Sequence, residues 1–280
     1  MGVGMSFGER LSDSIAARGP FCVGIDPHPR LLTDWGLPTD PSGLERFALT
    51  AVAALASDVA VLKPQSAFFE AYGSAGIAVL ERVITESRDA GALVLLDVKR
   101  GDIGSTMAAY AAAYLADGAP LAADAVTLSP YLGFGSLEPA LELAASTGRG
   151  VFVLAMTSNP EGAAVQQAVA DGRSVAQSVV DGASACNRGA TPMGSIGVVI
   201  GATLGELELR FENLNGPILA PGYGAQGGTT AGLRATFGPE LARVLPSSSR
   251  DVLRHGPDQR LLRDAALRAR DVVVKLVTTP

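Results

Sequence analysis

Short apolar runs punctuate the chain at residues 21–26, 59–65, 92–99, 125–129, 151–157, 196–201, 218–221 and 243–246. They are dominated by Val, Leu, Ile and Ala without the alternation of a half-exposed strand, which is the pattern of parallel strands covered on both faces. Most are followed by a polar or Gly/Pro-rich turn and then an amphipathic, Ala-rich stretch. Helical spacing recurs at 44–56, 75–90, 105–115, 137–145 and 163–187. Two more helices are predicted, at 7–17 before the first strand and at 258–276 closing the chain. Eight β-α repeats predict a (β/α)8 TIM barrel, a single α/β domain spanning residues 1–280 with an N-terminal helix. The alternative is an open doubly wound sheet. A Gly-rich fingerprint should then follow the first strand, but Ile25-Asp26-Pro27-His28-Pro29 stands there. Residues 27–42 and 221–232 read as long βα loops.

Polar residues collect where the predicted strands end, which is where barrels of this kind place their active sites. The first run ends in Asp26, the second in Lys63-Pro64-Gln65, the third in Asp97 and Lys99, and the fifth in Thr157-Ser158-Asn159-Pro160. The seventh enters a loop running from Pro221 to Gly228, and the eighth enters Ser247-Ser248-Ser249-Arg250. The third run carries the densest chemistry. Strand side chains alternate faces, so Asp97 and Lys99 point the same way. Gly101 releases the backbone, and Asp102 is placed to cap a helix starting near Ile103. Charges converging at one strand end are unfavourable unless they neutralise one another or meet a charged ligand.

Composition narrows the partners. The 280-residue chain is 48% hydrophobic, 5% aromatic and rich in Gly (33), which suits apolar strands under Ala-rich helices. A net charge of −6 with no basic run argues against nucleic acid. The first fifteen residues contain Glu9, Arg10 and Asp13, unlike a signal peptide, and no apolar segment is long enough to span a bilayer. A cytoplasmic protein is expected. Cys22 and Cys186 lie far apart without metal-ligand spacing and are expected as buried, reduced thiols. No motif calls for a metal or a cofactor.

Asp97 and Lys99 alone could be a structural ion pair. Lys63 at the matching end of the neighbouring strand changes the reading: two lysines and two aspartates at a barrel mouth form a charge array that tunes its members by opposition. A lysine ammonium held there can act as a general acid. The Gly-rich loop after the seventh run and Arg250 after the eighth suggest an anion cradle for a phosphate ester. Ser158 and Gln226 could bond a planar polar ring, or simply satisfy local backbone. His28 and His255 read as surface or loop residues, Trp35 and Tyr131 as packing, and Phe68-Phe69 as core.

Asp97-Val98-Lys99-Arg100-Gly101-Asp102-Ile103, beside Lys63-Pro64-Gln65, closely resembles the orotidine 5′-phosphate decarboxylase family, in its longer, mycobacterial-like bacterial branch. The resemblance runs from Asp26 to Arg250. It implies cofactor-independent conversion of orotidine 5′-monophosphate to UMP and CO2, with Lys99 protonating the ring carbon and Asp97 lying against the substrate carboxylate. Asp26 and Lys63 would hold ribose hydroxyls. Asp102 would complete the array from a partner subunit, making the active form a homodimer with shared sites, and Thr106 and Ile103 would reach or line the neighbour's pocket. Ser158 would bond the pyrimidine, Gln226 would bridge ring and phosphate, and Arg250 would clamp the phosphate. One departure is Ser249-Arg250, where many members have Gly-Arg. Two alternatives remain: a metal-dependent phosphosugar aldolase or decarboxylase of the same superfamily, and a non-catalytic nucleotide-binding barrel.

Overall fold

The computed structural model describes residues 4–205, 207–224 and 227–278. Eight parallel strands close into a barrel: β1 (Cys22–Ile25), β2 (Val61–Pro64), β3 (Leu93–Arg100), β4 (Ala125–Leu128), β5 (Gly150–Met156), β6 (Ile196–Ile200), β7 (Ile218–Pro221) and β8 (Val244–Ser248). Each pairs with its sequence neighbour, and β8 returns to β1 through Cys22 opposite Ser247. The barrel is therefore confirmed over the doubly wound sheet.

Strand alternation divides the core in two. Cys22, Val61, Leu95, Ala125, Phe152, Val199, Leu219 and Leu245, one from each strand, pack together inside the barrel. Their neighbours, among them Val23, Leu62, Val94, Leu96 and Val126, face outward into the helical layer. The helix Phe7–Arg18 closes the lower end. Ser6 and Glu9 form a capping box at its start, Phe7 meets Phe152 edge-on at 6.0 Å, and Arg10 pairs with the buried Asp124. With the bottom plugged by Phe7 and Leu11, the inward positions nearer the strand C-termini remain for chemistry.

The predicted helices at 44–56, 75–90, 105–115 and 137–145 appear as Pro41–Leu55, Gly73–Asp89, Gly104–Leu115 and Glu138–Thr147. Several expectations need correction. Residues 163–187 are not one helix: Ala163–Gln166 is followed by antiparallel Val169–Ala170 and Arg173–Ser174, and only then by Val175–Cys186. Asp171 and Gly172 both take positive φ (52° and 75°), the requirement of a tight two-residue hairpin turn, and Ser174 then caps the helix by accepting from the Gln177 N–H. The 27–42 loop contains the helix Pro29–Asp34, with Pro at its first position, and Thr229 caps another at Thr230–Phe237. Asp102 is not a helix cap: the helix starts at Gly104 behind Ile103, and the Asp102 carboxylate accepts from the adjacent Ile103 N–H.

Trp35 is core, its ring 4.1 Å from that of Phe47 and tilted 35° to it, and its indole N–H donates to the Leu253 carbonyl. Tyr131 is not packing within the chain, because it is 81% exposed. Cys22 is buried, and burial pushes its thiol up to about 11, whereas Cys186 is exposed. Among the described residues no helix is long and apolar enough to cross a membrane.

Candidate active site

Inward alternation carries Lys63, Asp97 and Thr127 to the upper barrel, each two residues beyond Val61, Leu95 and Ala125 of the inner core. Asp97 is the hub. Its Oδ2 accepts from Lys63 Nζ at 2.8 Å, and its Oδ1 accepts from Lys99 Nζ at 2.6 Å and from the Thr127 hydroxyl at 2.7 Å. Lys63 and Asp97 are each 5% exposed. Burial would raise the Asp97 carboxyl, but the ammonium groups of Lys63 and Lys99 outweigh it and hold the group well below the usual carboxylate range. Burial would likewise lower Lys63, yet Asp97 and then Asp26 keep it above an ordinary lysine.

The backbone here departs from a regular strand. Leu96 pairs with Val126 and Arg100 with Leu128, so residues 97–99 bulge opposite Thr127. Lys99 adopts φ 46°, a left-handed conformation unfavourable by about 1–2 kcal/mol for a residue with a side chain. Gly101 is required immediately afterwards, because a Cβ there would sit 2.2 Å from the Ser129 carbonyl oxygen.

A cavity of about 250 Å³ opens above this array, lined also by Asp26, Tyr223, Ser249 and Arg250. The Ser249 hydroxyl donates to Asp26 Oδ2, while Asp26 Oδ1 has no hydrogen-bond partner among the described residues. Gly24 permits that approach, since a Cβ on it would lie 2.9 Å from the Ser249 Cβ. His28 is exposed at the edge of the cavity with its ring 4.2 Å from that of Phe68, while Phe69 is fully buried.

The structure thus brings together Asp26, Lys63, Asp97, Lys99 and Arg250. Of the other described candidates, none lines the same cavity within one chain. Asp102, Ile103 (61% exposed) and Thr106 lie on the rim outside it. Ser158 is exposed and its neighbour Thr157 lines the cavity instead. Gln226 lies outside the described residues. Thr127 and Ser249 join the site although the sequence pattern does not single them out. The signal for Thr127 was a lone hydroxyl in an otherwise apolar strand, which needs a partner when buried. Among the described residues no group of three or more His, Cys, Asp or Glu side chains is placed to hold a metal ion.

Residues 19–263 match the family described as orotidine 5′-phosphate decarboxylase / HUMPS. A protein from Salinispora tropica named orotidine 5′-phosphate decarboxylase is 62% identical over 93% of this chain and 94% of its own. One of the same name from Streptomyces coelicolor is 59% identical over 93% and 94%. A crystal structure of a Streptomyces avermitilis protein provisionally given that name superposes with a TM-score of 0.96 at 56% identity, covering 100% of this chain and 98% of that one. The match spans the strand ends that carry Asp26, Lys63, Asp97, Lys99 and Arg250, and the chain belongs to the orotidine 5′-phosphate decarboxylase / HUMPS family.

Proposed function

We propose that the charge array at the barrel mouth decarboxylates orotidine 5′-monophosphate to UMP and CO2, as a cytoplasmic enzyme of pyrimidine biosynthesis that uses no cofactor. The observation that carries this is the unbroken contact from Lys63 through Asp97 to Lys99, under a cavity that Arg250 borders. When the carbon–carbon bond to the carboxylate breaks, its electron pair stays on the ring carbon. The Lys99 ammonium stabilises that developing charge and then gives it a proton. Asp97, kept anionic by its neighbours, crowds the substrate carboxylate, so the array favours the transition state over the bound substrate. Arg250 clamps the phosphate, supplying binding energy away from the reacting carbon. Asp26 offers to a ribose hydroxyl beside Lys63 an Oδ1 that has no partner among the described residues, while Ser158 serves the pyrimidine ring and Gln226 both ring and phosphate.

The rim supports a shared site. Ile103 (61% exposed), beside Asp102 in sequence, and Tyr131 (81%) and Leu132 (52%), just beyond β4, are exposed apolar residues. The segments that follow β3 and β4 start side by side, the Ser129 N–H donating to the Arg100 carbonyl at 2.7 Å. A second copy covering these residues would bury them and place the partner subunit's Asp102, Ile103 and Thr106 over this cavity. The test is loss of orotidylate absorbance with EDTA present. Conversion to UMP unaffected by chelator is expected. Inertness toward orotidylate, with chelator-sensitive action on a sugar phosphate, would move the chain to the metal-dependent branch of its superfamily.

A further inference from the structure

The strand Ala125–Leu128 is apolar except for Thr127, which is 1% exposed. A hydroxyl buried to that degree is unfavourable unless both its donor and its acceptor are used. Here both are used, and both on the array. Thr127 Oγ1 accepts the Lys99 backbone N–H at 3.0 Å and donates to Asp97 Oδ1 at 2.7 Å. The first bond replaces a rung of the ladder, because the bulge at 97–99 takes the Lys99 N–H out of register with the backbone of β4. It thereby holds the one residue of the array whose backbone is left-handed. The second bond fixes the carboxylate to which both lysines are paired.

We propose that Thr127 is a positioning residue for the decarboxylation, its hydroxyl locking the Lys99 backbone and the Asp97 carboxylate into one rigid unit. The inference rests on the function proposed above. Thr127 acts through those two groups, since its single proton is already given to Asp97. It also provides continuity during turnover. Once Lys99 has passed its proton to the ring carbon, Asp97 Oδ1 loses a charged donor, and the Thr127 hydroxyl keeps the carboxylate in place until the amine is reprotonated.

The experiment compares wild type, Thr127→Val and Thr127→Ser in steady-state turnover of orotidylate and in equilibrium binding of UMP. Valine keeps the branched shape and loses both bonds, whereas serine keeps both. Displacing an acid by a fraction of an ångström from its reacting atom is expected to lower kcat of T127V by about 10- to 100-fold. KM and the UMP Kd should stay within about threefold of wild type, and T127S should recover kcat to within about threefold. A T127V kcat within about twofold of wild type would overturn the assignment, as would parallel losses in kcat and UMP affinity or a serine variant no better than valine. Should T127V fail to fold, T127A against T127S asks the same question, since they differ by one hydroxyl. Turnover by the wild type tests the decarboxylase reading itself, and the ratio of variant to wild type tests Thr127.

Discussion

Replacing Asp97 by Asn removes the negative charge on which both lysines converge, and the two pairs it breaks are unequal. The Lys99 side chain is 45% exposed, so water screens that pair and its loss costs under about 1 kcal/mol. The Lys63 side chain is 7% exposed, and leaving one member of so buried a pair alone costs about 3–5 kcal/mol. The penalty has a ceiling, because Lys63 can fold without its proton. At pH 7.5 that route costs about 4 kcal/mol, from 1.36 kcal/mol for each pH unit below the ordinary lysine value near 10.4. D97N is therefore expected to lose about 3–4 kcal/mol at pH 7.5. With an unfolding entropy of about 2.1 cal/mol/K per residue over 280 residues, that lowers the melting temperature by about 5–7 °C.

The pH dependence gives the sharper test. In the wild type the Asp97 carboxyl is depressed, so its stabilisation is present above the unfolded value of about 4 and is lost only as pH falls below it. Lys63 is raised, so its stabilisation is complete below about pH 10.4 and is lost only above that. In D97N the ceiling set by neutral Lys63 falls to about 1 kcal/mol by pH 9.5. Urea unfolding followed by circular dichroism, at one protein concentration, should show a gap that changes by less than about 1 kcal/mol from pH 5.5 to 7.5 and then closes toward pH 9.5. A gap below about 0.5 kcal/mol at pH 7.5, or one that widens in alkali, would refute the claim that Asp97 holds a buried Lys63 ammonium.

Lys99→Ala should lower kcat by about a thousandfold or more while leaving the urea midpoint near that of wild type, and near-normal turnover would remove Lys99 from the acid's role. Asp102→Ala and Lys99→Ala chains, each inactive alone, should regain activity when mixed, because a heterodimer contains one complete site; no recovery would refute sharing across the interface. Arg250→Ala should cost about 3–5 kcal/mol, or roughly 200- to 5000-fold in kcat/KM, for two charge-assisted bonds to phosphate, and an unchanged kcat/KM would place the phosphate elsewhere.

The barrel was legible because covering strands on both faces demands apolar runs, and those runs survive any detail of packing. β7 coincides with its apolar run residue for residue, and β8 is displaced from its run only because Ser247 and Ser248, which belong to the strand, look like loop in one dimension. The helix expected over 163–187 failed where a local signal competed with a periodic one. Ala-rich spacing on both sides concealed Asp171-Gly172, whose positive-φ turn was the stronger instruction. Tyr131 departs from expectation for a different reason. An aromatic residue in a short loop looks like packing, but its 81% exposure is set by where the fold leaves that loop, which the local sequence does not carry.

In the site, alternation along one strand correctly put Asp97 and Lys99 on one side, and Lys63 joined them because neighbouring strands end at the same level. What alternation could not show is how a lysine two residues past Asp97 reaches back to it at 2.6 Å instead of standing beside it. That requires the bulge and the φ of 46°, and both depend on β4, whose register is a tertiary fact. A left-handed lysine forfeits its ladder bond and carries a conformational penalty, so some other group must take its N–H, and the Thr127 hydroxyl does. The same oxygen then steadies the carboxylate that balances both ammoniums. The strain at Lys99 and the polarity of Thr127 are thus two halves of one solution, each an anomaly in its own strand and explicable only by the other.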